Sequence, residues 1–492
     1  MSTSNHQLGP DPEATAGKMI TDHRGISTSK VSSTPETKEQ STPDSDQKPS
    51  EQWNKPRINM WRYLTTLYTF IIMGMSDASY GALIPYLETY YDLNYTIISL
   101  PYLAPFVGYT AAAVLNNRIH MKYGQRGVAV IAPIAKLVAF VVTCTHPPFA
   151  VIPVIFVFTG FGTGLEDGAW NAWVGNMENA NELLGFLHGA YGLGATIGPL
   201  IATAMVTKGD LPWYTFYYLL VGVGTLELVL TTTTFWGATG DIHRAANPVI
   251  HSDLGKEQSP TKEALKNPIT WICSFFLLTY VGIEVSLGGW LVTFMLRVRN
   301  GGAFESGLVA TFFWLGLTIG RVVLGFVTGR IGEKLAITIY VLLSMALELC
   351  FWLIPNFISS AVFAAFLGFF LGPLFPAAIV VATKVLPQRL HVAAIGFAAA
   401  FGGGGAALFP FVVGAIATSK GVQVLQPFAL ALLVVILLSW VLLPGGFSKT
   451  GLERARHARE DREAGRVESE HVPEKTAAGR ALGRLQRKMG IA

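Results

Sequence analysis

One stretch of sequence occurs twice and decides the fold. Residues 185–199 read GFLHGAYGLGATIGP, and residues 396–410 read GFAAAFGGGGAALFP. Each copy begins with Gly-Phe, carries two further glycines at matched places and ends in proline. Matched positions differ by a constant 211 residues, which indicates an internal duplication. They are Gly185, Gly192, Gly194 and Pro199 in the first copy, and Gly396, Gly403, Gly405 and Pro410 in the second.

Two other patterns repeat at an offset of 208 residues, one in a polar turn and one in an apolar stretch. These matches predict two related halves with a binding site between them, which is the arrangement of a secondary transporter. The turn is Asn117-x3-Met121-Lys122-x-Gly124-x-Arg126, matched by Gly325-x3-Gly329-Arg330-x-Gly332-x-Lys334, and the apolar pair is Gly160 and Gly164, matched by Gly368 and Gly372.

The composition excludes a soluble enzyme. Of the 492 residues, 51% are hydrophobic and 14% charged, with a mean hydropathy of +0.42, whereas soluble domains carry about 25% charged residues. The three cysteines show no CxxC and no histidine spacing suited to zinc. No nucleotide-binding or catalytic motif stands in a strand and helix context. The sequence therefore predicts a membrane protein without enzymatic activity, metal or cofactor.

Apolar stretches of about 20 residues recur from Trp61 onward, each long enough to cross the ~30 Å hydrocarbon core as a helix. The predicted fold is an all-α membrane protein with twelve transmembrane helices in two pseudo-symmetric six-helix halves. The predicted limits are 61–90, 97–116, 128–145, 149–175, 184–207, 213–236, 269–296, 305–329, 335–355, 359–383, 391–418 and 425–444.

The chain divides into five predicted regions. Residues 1–52 hold no aromatic residue and are rich in Ser, Thr, Pro and charge, a composition that predicts a disordered tail. The first six-helix bundle takes residues 53–236 and the second takes residues 269–446. A polar loop, residues 237–268, joins them, and residues 447–492 form a basic tail.

The distribution of Lys and Arg in short loops predicts the orientation, because such residues collect on the cytoplasmic side. With both termini cytoplasmic, inner loops hold eleven of these residues and outer loops hold four. The sequon at Asn94 then falls in the first outer loop and is a possible glycosylation site. The inner residues are Arg118, Lys122, Arg126, Arg244, Lys256, Lys262, Lys266, Arg330, Lys334, Lys384 and Arg389; the outer ones are Lys208, Arg297, Arg299 and Lys420.

These features resemble the major facilitator superfamily over about residues 60–446. Within this range, three motifs are similar to those of the fucose permease-like branch of the superfamily and its fungal members. In one respect the chain departs from the family, because Asn117 and Met121 stand where the turn after span 2 usually has Gly and Asp. That Asp pairs across the halves in the outward-open state, so this gate contact is in doubt. The three motifs are Gly74-x2-Asp77-x3-Gly81-x3-Pro85, Leu165-Glu166 and Gly282-x-Glu284-x3-Gly288-Gly289-Trp290.

Charged side chains at mid-membrane are functional candidates, because each costs about 3 kcal/mol on insertion scales. Asp77 lies in span 1, Glu166 in span 4 and Glu284 in span 7. Spans 1, 4, 7 and 10 line the cavity in the resembled fold, so we expect these three carboxylates to converge there. The resemblance also implies that Asp77 and Glu166 carry protons. The alternative is that they only bind substrate or tie helices together.

Several side chains beside these carboxylates are candidate substrate ligands. Glu166 and Trp170 share one helix face, where a tryptophan can stack on a sugar while the carboxylate binds hydroxyls. Asn171 and Trp290 are assigned the same role. The alternative for both tryptophans is anchoring at the membrane interface.

The remaining intramembrane and turn charges have structural or gating assignments. Lys136 in span 3 and Glu227 in span 6 are predicted to pair outside the cavity. Asp167, adjacent to Glu166, points about 100° away around the helix and is expected to pair with another helix, with His188 as a candidate partner. Two roles stay open for Arg321, namely a cation in the cavity and a gate residue. The other gate candidates are Arg126, Arg330 and Lys334.

Three functions remain open at this stage. The first is a proton-coupled symporter that imports a sugar or similar polar solute, and the second is a proton-antiport efflux pump for a drug or metabolite. The third is a transporter-like nutrient sensor. The expected partners are a small-molecule substrate, protons and the lipid bilayer, with no nucleic acid. A monomer in the plasma membrane is the default, and an internal membrane is the alternative.

Overall fold

The computed structural model describes residues 51–246, 260–387 and 390–452, together with residues 454, 455 and 457. The predicted N-terminal tail, apart from its last two residues, and most of the predicted C-terminal tail lie outside these residues. Within the described ranges the chain is helical, apart from turns and two isolated bridges near residue 51.

Twelve helices are long and apolar enough to cross a membrane, as predicted. Each span is numbered in chain order. Two short helices, Gly240–Ala246 and Pro260–Lys266, belong to the connection between spans 6 and 7, and another, Tyr95–Ile98, precedes span 2. Spans 1 to 6 are Arg57–Tyr91, Leu100–Tyr123, Gln125–Cys144, Val151–Gly175, Ala180–Thr207 and Thr215–Phe235; spans 7 to 12 are Pro268–Arg297, Ala303–Ile331, Glu333–Leu353, Phe357–Val385, His391–Lys420 and Leu425–Val441.

Span 10 is broken in the middle. One helical segment ends at Leu371 and the next begins at Leu374, because Pro373 has no backbone N–H to continue the ladder. Backbone that leaves a helix at membrane depth is tolerated where it faces protein or a water-filled cavity. This break was not predicted from the sequence, which indicated a continuous span.

The two halves use the same helix pairs. Spans 1 and 5 pack along their length, as do spans 7 and 11, and spans 2 and 4 correspond likewise to spans 8 and 10. Gly160 of span 4 packs against Pro105 of span 2, while Gly368 of span 10 packs against Phe313 of span 8. Both members of the second pair lie 208 residues after those of the first. The predicted pseudo-symmetry is therefore confirmed at the level of individual contacts.

Candidate functional site

Asp77 is the carboxylate that reaches accessible space at the centre of the molecule. Its helix, span 1, is one of the two most enclosed spans. The side chain is nevertheless exposed, although protein surrounds it on all sides. Tyr191 of span 5 donates a hydrogen bond of 3.2 Å from its hydroxyl to Asp77 Oδ2. An exposed side chain deep in a protein lies in an internal cavity, and Asp77 therefore lines one.

Asp167 of span 4 faces the same region. The hydroxyl of Tyr109, on span 2, donates a hydrogen bond to Asp167 Oδ2, and the side-chain amide of Asn171 donates one of 2.7 Å to Oδ1. Asp167 is half-buried and within electrostatic range of Asp77. His188, the candidate partner of Asp167, instead lies edge-on to Phe70.

The C-terminal half contributes an ion pair. Arg321 Nη2 of span 8 lies 3.4 Å from Glu284 Oε1 of span 7, and it lies at the same distance from the Tyr280 hydroxyl. Arg321 Nε also donates a hydrogen bond of 3.2 Å to the carbonyl of Gly372, where span 10 breaks. Arg321 therefore neutralises a carboxylate and satisfies a backbone group that the broken helix leaves free.

Tyr191 joins the two groups. It binds Asp77 in its own half and is within electrostatic range of Glu284 and Arg321 in the other half. The site thus lies where the halves meet, with hydroxyl, amide, carboxylate and guanidinium groups facing one space. Within the described residues, no group of three or more His, Cys, Asp or Glu side chains is placed to hold a metal ion.

On one membrane side the halves are in close contact. We call the face at which span 1 begins the N side and the face at which it ends the far side. Near the far side, a Cβ on Gly81 would lie 2.5 Å from Gly289 Cα. The hydroxyls of Thr96 and Thr418 lie 2.7 Å apart, joining the short helix before span 2 to the end of span 11. The cavity is therefore closed toward the far side.

Toward the N side the halves separate. Spans 5 and 8 touch as deep as Gly192, where a Cβ would clash with the hydroxyl of Thr318. Closer to the N side, four glycines of these two spans face open space, since a Cβ on any of them would meet no described atom within 4 Å. Spans 5 and 8 therefore make no contact at these four positions, in contrast to their contacts deeper in the membrane. The four are Gly185, Gly189, Gly325 and Gly329.

Glu166 does not lie where the sequence analysis placed it. Its side chain is fully buried, and Oε2 lies 2.5 Å from Lys136 Nζ. Lys136 also lies 2.7 Å from Glu227 Oε1, so the expected pair of Lys136 and Glu227 is present and extended by a third residue. Since span 4 turns Asp167 toward the cavity, the neighbouring Glu166 points into the interior of the N-terminal half. The expectation that Glu166 lines the cavity is wrong.

The two tryptophans assigned to substrate are packing residues. Trp170 is fully buried and stacks on Phe235, with 4.4 Å between ring centroids. Trp290 is also fully buried, and its indole N–H donates a hydrogen bond of 2.8 Å to the carbonyl of Pro410. Neither ring has a face available to a solute. Asn171, by contrast, is half-buried beside Asp167 and stays a candidate ligand.

Two of the three basic turn residues, Arg126 and Lys334, contact residues of their own half. The guanidinium of Arg126 lies 5.0 Å from the centre of the Trp236 ring. Lys334 Nζ donates a hydrogen bond to the carbonyl of Leu443. Arg330 is exposed at the end of span 8. In this conformation neither Arg126 nor Lys334 bridges the halves, so a gating role for them stays a prediction.

Sequence reasoning missed three contributors to the site, namely Tyr109, Tyr191 and Gly372. Tyrosines are common near membrane interfaces, so the presence of a tyrosine did not by itself indicate a residue of the site. Gly372 was noted as a repeat position, but it precedes Pro373, and this Gly-Pro pair was the available signal of a broken helix.

Comparisons with known proteins agree with this architecture. A model of the Major Facilitator Superfamily matches residues 66–362 and 286–485. The chain belongs to the major facilitator superfamily. It is accordingly a secondary active transporter of small solutes, with twelve membrane-spanning helices.

Individual relatives agree with this assignment. The chain is 30% identical over 408 residues to Bypass of stop codon protein 6 of Saccharomyces cerevisiae, covering 77% of this chain and 82% of the relative. It is 25% identical to the glucose/mannose transporter GlcP of Bacillus subtilis, covering 72% and 87%. A solved structure of the nucleoside transporter NupG, determined for a point mutant, has the same fold, with a TM-score of 0.61, 13% identity and coverage of 78% and 98%.

Proposed function

We propose that this superfamily member is a proton-coupled symporter that imports a sugar-like polar solute. The observation that carries the proposal is Asp77, an accessible carboxylate at the junction of the halves. A carboxylate that faces the cavity can load a proton when the site is open to one side and release it when the site opens to the other. Glu166 is the second proposed proton carrier, acting from the buried position described above.

The proposed substrate follows from the polar groups of the cavity. Tyr109, Asn171 and Tyr191 present hydroxyl and amide groups, and Asp77 presents acceptor oxygens, a set suited to a solute rich in hydroxyls. Arg321 and Glu284 form the opposite wall as a neutral pair. That a relative is named a glucose/mannose transporter supports a sugar as the first substrate to test.

The proposed location is the plasma membrane, with both termini in the cytoplasm. Under this orientation the N side is cytoplasmic, and the present conformation is the inward-open state of the cycle. The transporter is proposed to act as a monomer and to catalyse no chemical reaction.

The test is transport in proteoliposomes made from the full chain. Counterflow with a panel of sugars, polyols and nucleosides identifies the solute, and accumulation is then measured with and without a pH gradient. We expect Asp77→Asn to abolish accumulation driven by the pH gradient while exchange at equal pH persists, because exchange needs no net proton movement.

A matched control comes from the same helix. Asp92 is an exposed carboxylate at the far end of span 1 with φ of 51°, a conformation that Asn also adopts. Asp92→Asn should leave both activities unchanged. If Asp77→Asn still concentrates substrate in response to a pH gradient, the coupling assignment is wrong. Proton-driven export in place of import would favour the efflux antiporter.

A further inference from the structure

Three ionisable side chains from three spans form a cluster inside the N-terminal half. Lys136 Nζ of span 3 lies 2.5 Å from Glu166 Oε2 of span 4 and 2.7 Å from Glu227 Oε1 of span 6. All three side chains are at most 2% exposed. We call them the Lys136 cluster. They do not line the cavity, and no step described so far uses Lys136 or Glu227.

The charges of the Lys136 cluster do not balance. One ammonium faces two carboxyl groups, so full ionisation would leave a net negative charge in a fully buried site, which is costly. Glu166 Oε1 and Glu227 Oε2 have no hydrogen-bond donor among the described residues. Both carboxyl groups contact the same ammonium, so they are neighbours. Because carboxylate oxygens only accept, a hydrogen bond between the two carboxyl groups requires a proton.

We propose that Glu166, Glu227 and Lys136 form one buried proton-binding unit that holds a single exchangeable proton shared between the two carboxyl groups. Lys136 is the positioning residue, because its ammonium holds both carboxyls and balances the one that is ionised. This inference deepens the proposed function and rests on it for the link between proton and solute. On release, the O–H bond of the carboxyl breaks, the proton passes to water or to a carboxylate, and both glutamates remain as carboxylates.

The cluster lies beside the cavity. Asp77 is within electrostatic range of Lys136, and on span 1 Thr69 lies next to Glu227. Tyr68 also faces Glu227, but its hydroxyl donates a hydrogen bond to the carbonyl of Val223. We therefore infer that the cluster exchanges its proton with Asp77. Other charged groups near the cluster are Asp167, which follows Glu166, and the pair of Glu284 and Arg321 beyond Tyr191.

Infrared difference spectroscopy of the purified full chain measures this proton without transport. A protonated carboxyl gives a C=O stretch that a carboxylate lacks, and we expect such a band to change between acid and alkaline pH. Glu166→Gln and Glu227→Gln should each remove the whole pH-dependent band assigned to the cluster, because the remaining glutamate then forms a neutral pair with Lys136. Two independent carboxyls would instead lose roughly half the band with each change, as additivity requires.

Lys136→Met and a buried control complete the experiment. Without the ammonium both carboxyls hold protons, so we expect Lys136→Met to enlarge the band. Glu348 of span 9 is also fully buried, without a hydrogen-bond partner among the described residues. Glu348→Gln should leave the pH-dependent band of the cluster intact. A band that survives either glutamine change, or that depends on Glu348, would overturn the proposal.

Transport separates this inference from the proposed function. Glu227→Gln should lose accumulation driven by a pH gradient and keep exchange at equal pH, whereas a purely structural role would lower both activities together. If the unchanged protein shows no response to a pH gradient, the proposed coupling fails. The infrared result then still decides whether the Lys136 cluster binds a shared proton. Since Glu166→Gln and Glu227→Gln are separate variants, failure of one to fold leaves the other as the test.

Discussion

Substituting Gly81 by alanine should shift the balance between the two states of the transporter. In the present state a Cβ at Gly81 would lie 2.5 Å from Gly289 Cα and 2.8 Å from the carbonyl oxygen of Gly288. These are backbone atoms of span 7, so the clash is relieved only if the halves separate on the far side. Overpacking of this kind costs about 1–3 kcal/mol. That cost changes the equilibrium constant between the two states by roughly 5–150-fold, in favour of the state that is open on the far side.

The assay uses a cysteine that is hidden between the halves. Ser99 is fully buried, and a Cβ on Gly414 of the opposite half would lie 2.5 Å from its hydroxyl oxygen. Ser99→Cys, in a background without the three native cysteines, is labelled with a membrane-impermeant maleimide applied from the far side. We expect Gly81→Ala to raise the labelling rate by the factor given above, because Cys at this position reacts only when the far side is open.

The matched control is Gly185→Ala. A Cβ at Gly185 meets no described atom within 4 Å, so this change adds no clash to the present state. It should therefore not raise labelling at position 99. If Gly81→Ala folds as a monodisperse protein and is labelled no faster than its parent, the contact between spans 1 and 7 does not hold the far side closed.

Three further experiments test other parts of the structure. Oxidising the pair Thr96→Cys and Thr418→Cys should lock the far side and stop transport, with reductant restoring it, because these hydroxyls lie 2.7 Å apart. Arg321→Leu should cost about 3–5 kcal/mol by leaving Glu284 buried without its cation, measured as a lower thermal unfolding temperature in detergent and largely recovered by adding Glu284→Leu. Asn94→Cys should be labelled by an impermeant reagent outside intact cells, since Asn94 is exposed on the far side; labelling only after permeabilisation would reverse the proposed orientation.

The fold could be predicted because several independent features of the sequence indicate it. Span length is set by bilayer thickness, and composition alone identifies apolar stretches of that length. The duplication was visible because close helix packing restricts certain positions to glycine. Gly160 and Gly368 are such positions, and they make equivalent contacts in the two halves. The break of span 10 was missed because Gly372-Pro373 was treated as part of an apolar run, although proline interrupts the backbone ladder.

The site was only partly predictable, since composition shows that a charge is inside the membrane but not which way it points. Asp77 and Glu284 lie at the junction of the halves, as expected, while Trp170 and Trp290 lie in packed interiors. Aromatic side chains bury large apolar areas, so packing competes with substrate binding for every tryptophan. The sequence alone does not show which residues pack against each tryptophan, so it cannot decide between packing and substrate binding.

The orientation of span 4 explains why Glu166 was misplaced and what would have placed it correctly. An apolar helix has no polar face to fix its rotation, so the small residues that permit close packing fix it instead. Gly162 faces span 3, where a Cβ would lie 2.8 Å from Lys136 Cγ. Glu166 follows four residues later on the same face and reaches the ammonium of Lys136. Gly164 faces span 2, and Asp167, three residues on, meets span 2 beside the cavity. The glycines of span 4 therefore assign one carboxylate to the Lys136 cluster and the other to the cavity.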